Sequence, residues 1–495
     1  MLEALGLVLS PFNIVLAIAG TLFGLVLGII PGLGPALGLA LLIPLTFPLP
    51  PVSGLIVLGS CFGAAIYGGC ISAIMLNTPG TPGNVATTFD GFPLARQGKA
   101  AYAIGAATVA SGIGGVIGIL ALAFLGPPIA KFSLVFGPAE YFMLAMVGLA
   151  FITRTIKGNF LKGILSAVIG LVLSFIGMDI VSGFPRFTFG TMYLQDGIQF
   201  VPAVIGLFAL SQAFSLAEAG GSISQTGKVD TKGVWAGALE PFKKWKVTLR
   251  SALIGTVLGG TPGIGIATAN VLAYTEAVRA SKNPESFGKG NIEGVIAPET
   301  ANNAVEGGSL IPALTLGIPG GATAAIFLGA LNLYGIQTGF KLYTANPTVL
   351  YGLILAMLFG TLMFVIIGLS SIPFLAKLTV IKNEILVPVI LVMCVLGAYT
   401  LRGDFGDVWL CLITGILGFI MNKMHFPTVP MVISLVLGPI AEQGFNRAML
   451  ITNWSYKIFV ERPIPLILMV LGIIIFLSPL YDVMKKRKQL QTNNE

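Results

Sequence analysis

A glycine-proline pattern occurs twice inside apolar stretches of this 495-residue chain. The first copy runs Gly24-Leu-Val-Leu-Gly-Ile-Ile-Pro-Gly-Leu-Gly-Pro-Ala36, and the second begins 231 residues later as Gly255-Thr-Val-Leu-Gly-Gly-Thr-Pro-Gly-Ile-Gly-Ile-Ala267. Proline removes a backbone donor and glycine relaxes the backbone, so each copy predicts a helix break. At membrane depth such a break persists only where it is buried in protein or lines a watery cavity. Paired breaks at matching positions of two halves indicate a transport site.

The composition is that of an integral membrane protein. Hydrophobic residues make up 55% of the chain and charged residues only 10%, against about 25% charged in an average soluble domain. Several apolar runs are shorter than a full span, so we predict an all-α integral membrane protein with about 10–13 transmembrane helices, including broken or re-entrant ones. The net charge of +8 lies mostly in short polar connections, which fits the positive-inside rule better than nucleic-acid binding.

A second pair of Pro-Gly breaks divides the chain into repeats. The run from Gly68 to Gly80 resembles the run from Gly307 to Gly320, with one inserted residue. We therefore predict a first repeat half at residues 1–220, a polar cytoplasmic connection at 221–250, a second repeat core at 251–345, and further scaffold helices with a basic cytoplasmic tail at 346–495.

Basic residues predict the orientation of the two repeats. The helix containing Gly24 has no lysine or arginine before it, whereas six basic residues between Lys228 and Arg250 precede the helix containing Gly255. By the positive-inside rule the repeats have inverted topology, and the run Lys485-Lys-Arg-Lys488 places the carboxy terminus in the cytoplasm.

The breaks and their polar neighbours are the predicted substrate-binding residues. Freed amide groups at a restarting helix suit a carboxylate, because a helix N-terminus carries partial positive charge. The alternatives are an ordinary surface turn for the first segment and helix caps at the start of an apolar segment for the tandem asparagines. The predicted residues are Pro31, Gly32, Gly34, Asn77, Thr78, Pro79, Gly80, Thr81, Pro262, Gly263, Asn302, Asn303, Gly317, Pro319 and Gly320.

Oxygen-bearing side chains in the same segments are the candidates for ion coupling. They could hold Na⁺, the metal that the sequence suggests, or carry a proton, and no other cofactor is expected. Asp90 could instead be a turn aspartate, and Glu299 could face water beside the polar stretch from Glu276 to Glu293. The ion-coupling candidates are Asn77, Thr81, Asp90, Glu299, Asn303 and Thr323.

The sequence contains few of the residues and motifs that enzymes use for catalysis. The chain has one histidine, no H-E-x-x-H or G-x-S-x-G motif and no P-loop. We therefore predict that it is not an enzyme, and that any driving force comes from an ion gradient or a partner.

Several runs in this chain resemble the large membrane subunit of the bacterial tripartite tricarboxylate transporters. They include Pro31-Gly-Leu-Gly34, Tyr67-Gly-Gly69, Leu76-Asn-Thr-Pro-Gly-Thr-Pro82, Asp90-Gly-Phe-Pro-Leu-Ala95, Ala297-Pro-Glu-Thr-Ala-Asn-Asn-Ala304, Leu316-Gly-Ile-Pro-Gly320, Leu437-Gly-Pro-Ile-Ala-Glu442 and Arg462-Pro-Ile464. Thr300 departs from the pattern, in which alanine is expected. The resemblance implies symport of organic tri- or dicarboxylates such as citrate across the bacterial inner membrane, driven by sodium or protons. It also implies a small membrane subunit and a periplasmic substrate-binding protein as partners, and a homodimer is compatible with it.

Two mechanisms fit these features. The leading hypothesis is alternating access, with an elevator-like displacement of the broken-helix repeats past a scaffold. The alternative is a passive channel or pore for small anions.

Overall fold

The computed structural model describes residues 2–155, 160–179, 181–219, 232–262, 265–378 and 383–492. Gly263 and residues 220–231 of the predicted polar connection lie outside the described residues. The elements in chain order are α1 Leu2–Val8, α2 Pro11–Ile29, α3 Gly34–Thr46, α4 Pro51–Leu76, α5 Val85–Arg96, α6 Ala100–Phe132, α7 Pro138–Thr155, α8 Phe160–Ser174, β1 Gly177–Met178, β2 Pro185–Arg186, α9 Phe200–Val204, α10 Ser211–Ala219, α11 Val234–Ala238, α12 Glu240–Lys243, α13 Trp245–Gly259, α14 Gly265–Ala280, α15 Glu293–Leu316, α16 Ala322–Leu333, α17 Phe340–Thr344, α18 Pro347–Ser370, α19 Ile372–Leu378, α20 Asn383–Thr400, α21 Phe405–Lys423, α22 Thr428–Ile451, α23 Ile458–Glu461 and α24 Pro463–Thr492.

The predicted all-α membrane architecture is confirmed. Within the described ranges, eight helices are long and apolar enough to cross a membrane, and five shorter apolar helices accompany them. One long helix, α15, is absent from that group because it is too polar, yet almost every residue in it is buried.

The helices form two compact units. The larger comprises residues 1–130, 201–261 and 265–419, and the smaller comprises residues 131–200, 262–264 and 420–495. In the smaller unit the antiparallel pair β1 and β2 is held by Arg186, whose guanidinium lies 2.6 Å from Glu442 and 3.1 Å from Asp179. Hydrogen bonds from Ser182 lower the pKa of Asp179 below its ordinary value.

Both copies of the first glycine-proline pattern break a helix, as predicted. Helix α2 ends before Pro31, and α3 begins at Gly34 after backbone of positive φ at Gly32 (90°) and Gly34 (65°). Helix α13 ends at Gly259, and α14 begins at Gly265.

The second pair of breaks is equally well matched. Helix α4 ends at Asn77, whose φ is 55°, and α15 ends at Gly317, whose φ is 75°. The chain restarts as α5, after a 3₁₀ turn at Pro82–Asn84, and as α16. Each repeat therefore contains two broken helices in the same order.

Small residues let the helices of each repeat approach closely. A Cβ added at Gly20 would lie 2.5 Å from the carbonyl oxygen of Val57, and Gly24 and Gly28 meet α4 in the same way one and two turns later. In the second repeat, Gly255 and Gly259 pack against α15. Glycine every fourth residue is the pattern that brings membrane helices into backbone contact.

These contacts fix the register between the repeats. A Cβ at Gly80 would lie 2.5 Å from the Cα of Gly69, and a Cβ at Gly320 would lie 3.0 Å from the Cα of Ser309. Both pairs are offset by 240 residues. The predicted insertion of one residue is therefore wrong. The contacts align Gly68-Gly69 with Gly308-Ser309, whereas matching by residue type aligns them with Gly307-Gly308 and so shifts the register by one residue.

The correspondence extends past residue 345. In the first repeat α6 follows the broken helices and packs through Gly114 and Gly118 on α15, at Thr300 and Ala304. In the second repeat α18 packs through Gly360 on Ser60 of α4. Ser60 and Thr300 are 240 residues apart. Helix α6 of the first repeat therefore packs on α15 at the position equivalent to that where α18 of the second repeat packs on α4.

Helices α4 and α15 meet at equivalent residues. The Asn303 side-chain amide donates to the Gly63 carbonyl oxygen at 3.1 Å, and the two residues are 240 positions apart. Equivalent residues contact each other where a two-fold axis passes between them. The contact between equivalent residues thus indicates a pseudo-two-fold relation between the repeats.

Candidate functional site

Helix α15 presents a polar face inside the protein. Glu299, Asn302, Asn303 and Glu306 recur at spacings of three and four residues, which places them on one side of a helix. All four are fully buried. We call them the α15 polar face.

Two sequence-based alternatives for this helix are wrong. The tandem asparagines do not cap an apolar segment, because α15 starts at Glu293, more than two turns before them. Glu299 does not face water, because α5 and α6 cover it with hydrogen-bonding side chains.

Glu299 joins three elements through its carboxylate. Oε1 accepts a hydrogen bond from Asn84 Nδ2 at 2.9 Å and another from the Thr87 hydroxyl, and Oε2 accepts from the Ser111 hydroxyl at 3.1 Å. The amide oxygen of Asn84 in turn accepts from the Thr81 hydroxyl at 2.6 Å. The structure therefore brings two predicted ion-coupling residues, Thr81 and Glu299, into one network.

The same segment meets the other broken helix of the second repeat. Asn270 of α14 donates from its side-chain amide to the Gly83 carbonyl oxygen. A Cβ at Gly83 would overlap the Asn302 amide, so glycine is required for this approach. The Pro-Gly segment of the first repeat thus lies directly against α14 and α15.

Two breaks of the first repeat are bonded to each other. The Gly32 amide donates to the Gly80 carbonyl oxygen at 3.2 Å, and the Gly80 amide donates to the Gly69 carbonyl oxygen at 3.2 Å. Pro31 and Pro79 flank this contact and are partly exposed, while Gly34 begins α3.

The second repeat contributes a matching segment at the end of α15. Gly317, Pro319 and Gly320 are buried, and Thr323 is the second residue of α16. Pro262 lies in the turn after α13 and is partly buried. The N-termini of α5 and α16 both follow a Pro-Gly break, as the sequence predicts for a carboxylate site.

Asn77 and Asn303 do not occupy equivalent places. Asn77 and Thr78 are exposed at the end of α4, and the Thr78 hydroxyl donates to the Leu76 carbonyl oxygen at 3.3 Å. The register pairs Asn77 with Gly317 and Asn303 with Gly63. Asn77-Thr78 therefore lie at the break after α4, whereas Asn302-Asn303 lie within α15.

Asp90 lies in helix α5, so the alternative of a turn aspartate is wrong. Its Oδ1 accepts from the Gly290 and Asn291 amides at 2.8 Å each, and its Oδ2 accepts from the Tyr274 hydroxyl at 2.9 Å. The buried carboxylate thus ties α5 to α14 and to the loop before α15.

Several buried polar atoms on the α15 polar face have no hydrogen-bonding partner within the described ranges. They are both side-chain amide atoms of Asn302, Oδ1 of Asn303 and both carboxyl oxygens of Glu306. Unpartnered buried polar groups are costly, which makes these atoms candidates for binding a ligand or ion.

Five residues of this site are not among the substrate-binding and ion-coupling residues predicted from the sequence. They are Asn84, Thr87, Ser111, Asn270 and Glu306. Glu306 could have been found, because it follows Glu299 by seven residues and so shares its helix face. Ser111 lies in an otherwise apolar helix and gave no such signal.

The part of the chain that the structure describes has no group of three or more His, Cys, Asp or Glu placed to hold a metal ion. A Na⁺ site does not need such a group, because amide, hydroxyl and carbonyl oxygens can complete it.

Comparison with known proteins agrees with this architecture. Residues 14–433 match the model of the Tripartite tricarboxylate transporter TctA family. The chain is 36% identical over 466 residues to the uncharacterized 52.8 kDa protein in the TAR-I ttuC' 3' region of Agrobacterium vitis, covering 94% of this chain and 92% of the relative. It is 37% identical over 237 residues to the uncharacterized protein in the TAR-II ttuC' 3' region of the same organism, covering 48% of this chain and 98% of the relative.

Proposed function

The chain belongs to the tripartite tricarboxylate transporter TctA family, and from this membership we propose that it is the large transmembrane subunit that imports organic tri- or dicarboxylates by ion-coupled secondary transport. The family assignment supports a multi-pass membrane transporter rather than an enzyme.

The observation that carries the proposal is the meeting of the broken helices. Gly32 and Gly80, one from each break of the first repeat, are hydrogen-bonded, and the segment after Gly80 contacts α14 and α15 through Gly83. Discontinuous helices that converge between repeats form the substrate and ion sites of many secondary transporters.

A carboxylate substrate would bind at the two restarting helices. The N-termini of α5 and α16 offer backbone amides with partial positive charge, which hold an anion without a buried arginine. Asn302 adds an unpartnered amide donor near this region. Citrate, a dicarboxylate, an aromatic acid and a sugar acid all fit this chemistry.

The buried carboxylates support coupling to a cation. Glu299 and Glu306 would repel an anionic substrate bound near them, and a cation that enters with the substrate offsets that repulsion. We therefore propose symport with Na⁺ or H⁺, in alternating access between the two sides of the membrane. The pseudo-two-fold relation of the repeats supports this mechanism, since two halves related in that way can exchange conformations. An elevator-like displacement of the broken helices is part of the same proposal.

The partners follow from the family. We propose that a periplasmic substrate-binding protein delivers the carboxylate and that a small membrane subunit completes the complex in the bacterial inner membrane. The basic run at Lys485 supports a cytoplasmic carboxy terminus.

Reconstitution in proteoliposomes tests the proposal. The purified chain is first screened for carboxylates that raise its melting temperature, because a ligand of the folded state stabilises it by mass action. The complex is then supplied with the radiolabelled acid outside the vesicles and an inward Na⁺ or H⁺ gradient. We expect the acid to accumulate above its external concentration. Uptake that only equilibrates, and that ignores both gradients, would instead establish a passive pore.

A further inference from the structure

The α15 polar face has two carboxyl groups, those of Glu299 and Glu306. The Glu306 carboxyl group is not part of the hydrogen-bond network around Glu299. Its side chain is fully buried and lies against Gly63 of α4, where an added Cβ would be 2.6 Å from Oε2 and 3.1 Å from Oε1. Neither carboxyl oxygen has a hydrogen-bonding partner among the described residues. Glu306 therefore sits in a space that the missing side chain of Gly63 provides.

No described lysine, arginine or histidine forms an ion pair with Glu306. The ion pairs of the larger unit involve other carboxylates, such as Lys244 with Glu293 at 2.7 Å and Arg402 with Asp407 at 2.7 Å. An ionised carboxylate that is buried without a partner strongly destabilises the fold. An intramembrane carboxyl group of this kind is retained for function rather than for stability.

Two further buried oxygens have no partner in the described part of the chain, one on Asn303 beside Gly63 and one on Thr361 against Gly115 of α6. Asn303 donates from Nδ2 to the Gly63 carbonyl oxygen at 3.1 Å, which leaves its Oδ1 buried and unpartnered. The Thr361 hydroxyl of α18 is also buried and unpartnered. It approaches Asn303 at Gly115, where an added Cβ would lie 3.3 Å from the hydroxyl and 3.8 Å from the Asn303 Cβ.

The chemistry of these oxygens favours a monovalent metal cation. A protonated Glu306 has one O–H group and could donate to only one of the neighbouring oxygens, whereas Na⁺ takes several oxygen ligands at once. Hard divalent ions also take oxygen ligands, but the single negative charge of Glu306 balances only one positive charge. Glu299 adds no net ligand, because all of its bonds go to protein donors.

We propose that Glu306, Asn303 and Thr361 bind the coupling Na⁺ at the crossing of α4, α15 and α18. The proposal rests on the proposed function, because it names the ion and its ligands. In it Glu306 is the charged ligand, Asn303 and Thr361 supply neutral oxygens, and Gly63 leaves the space that the carboxyl group occupies. Glu299 then holds α5 and α6 in place and does not bind the ion.

Sodium binding to the purified full-length chain tests this assignment without transport. The melting temperature is recorded as NaCl replaces choline chloride at constant ionic strength and neutral pH, without carboxylate, and bound radioactive sodium is counted in parallel. We expect Na⁺ to stabilise the native chain by mass action. Glu306→Gln, which keeps the side-chain shape and removes the charge, should abolish both signals.

Matched variants separate loss of the site from loss of the fold. Glu293→Gln makes the same change at the start of the same helix, outside the α15 polar face, and we expect it to keep the sodium response. Gly63→Ala displaces only the flexible end of Glu306, and Thr361→Val removes one oxygen at constant shape. Changes that misplace or remove part of a metal site cost about tenfold or more in affinity, so both variants should weaken Na⁺ binding by about that factor.

Three results would overturn the assignment. They are a native chain that Na⁺ does not stabilise, a Glu306→Gln variant that keeps the response, and a response that appears with protons in place of Na⁺ and still requires Glu306. If Glu306→Gln does not fold, unchanged Na⁺ affinity in both Gly63→Ala and Thr361→Val overturns it equally. Because carboxylate uptake is not measured, failure of the proposed function leaves a positive sodium result intact.

Discussion

A single methyl group at Gly80 should break the contact between the two helix breaks of the first repeat. The added Cβ of Gly80→Ala would lie 2.5 Å from the Cα of Gly69 and 2.8 Å from the Ser72 hydroxyl. Carbon atoms attract best at about 3.5–4.0 Å, so the loop must move away by about 1 Å. It cannot do so freely, because the opposing group is helix backbone.

The size of the effect follows from these contacts. Forcing a methyl group into a packed interior costs about 1–3 kcal/mol. A loop displaced by this distance also weakens the bonds of Gly80 to Gly32 and Gly69, each worth about 1 kcal/mol net. We therefore expect Gly80→Ala to destabilise this region by about 3–5 kcal/mol.

The repeat supplies a second test site and a control. Gly320 occupies the equivalent place, where an added Cβ would be 3.0 Å from the Cα of Ser309, whereas nothing lies within 4 Å of a Cβ at Gly321. Gly321 has a φ of −167°, which any residue adopts. We expect Gly80→Ala and Gly320→Ala to lower the melting temperature in detergent and to abolish carboxylate uptake, and Gly321→Ala to match the native chain in both assays. Equal stability of the three variants would refute the close-packing argument.

Three further predictions concern side chains and topology. Replacing Asn77 or Asn303 by alanine should abolish transport while expression and assembly persist, and normal uptake by both variants would contradict the site. Glu299→Gln should lower the melting temperature, because hydrogen bonds to a charged group contribute about 1.5–3 kcal/mol each; an unchanged melting temperature would show that its network does not stabilise the fold. Single cysteines at Leu5 and Lys244 should react with an impermeant thiol reagent from opposite sides of the membrane. The four native cysteines are buried and should add little background labelling. Labelling of both positions from the same side would exclude inverted repeats.

The helix breaks could be predicted because their cause is local. Proline and glycine act on the backbone where they stand, so the ends of α2 and α13 follow from the residues of the pattern. The α-helical membrane class follows in the same way from apolar content and scarcity of charge. Local causes of this kind need no knowledge of the partners that a segment meets.

The interior of the site could be predicted only in part, because burial is a tertiary property. Glu299 was recognised as a candidate, but whether it faced water depended on Asn84, Thr87 and Ser111, which come from two other elements. For Asp90 a turn was the alternative because aspartate favours turns, yet it lies within α5, where its carboxylate accepts from the amides at 290 and 291.

The register of the repeats shows a different limit. Similar residue types at 68–69 and 307–308 suggested an insertion, whereas backbone contacts set a constant offset of 240 residues. Glycine is common where two membrane helices pack closely. A glycine in the sequence therefore indicates a close helix contact but does not show which helix it contacts. Only the contact of Gly80 with Gly69 and of Gly320 with Ser309 decides the alignment.

The symmetric backbone carries an asymmetric set of side chains. At the positions of α4 that correspond to the α15 polar face, the chain has Gly59, Phe62, Gly63 and Ile66. Two polar faces meeting at the crossing would double the number of buried groups that need partners, and each unpartnered group is costly. Glycine at 63 instead gives Glu306 room, so one repeat supplies the space and the other supplies the polar atoms. Alternating access through related halves therefore does not require two ion sites, because the shared backbone allows the exchange of conformations while one helix alone carries the charge.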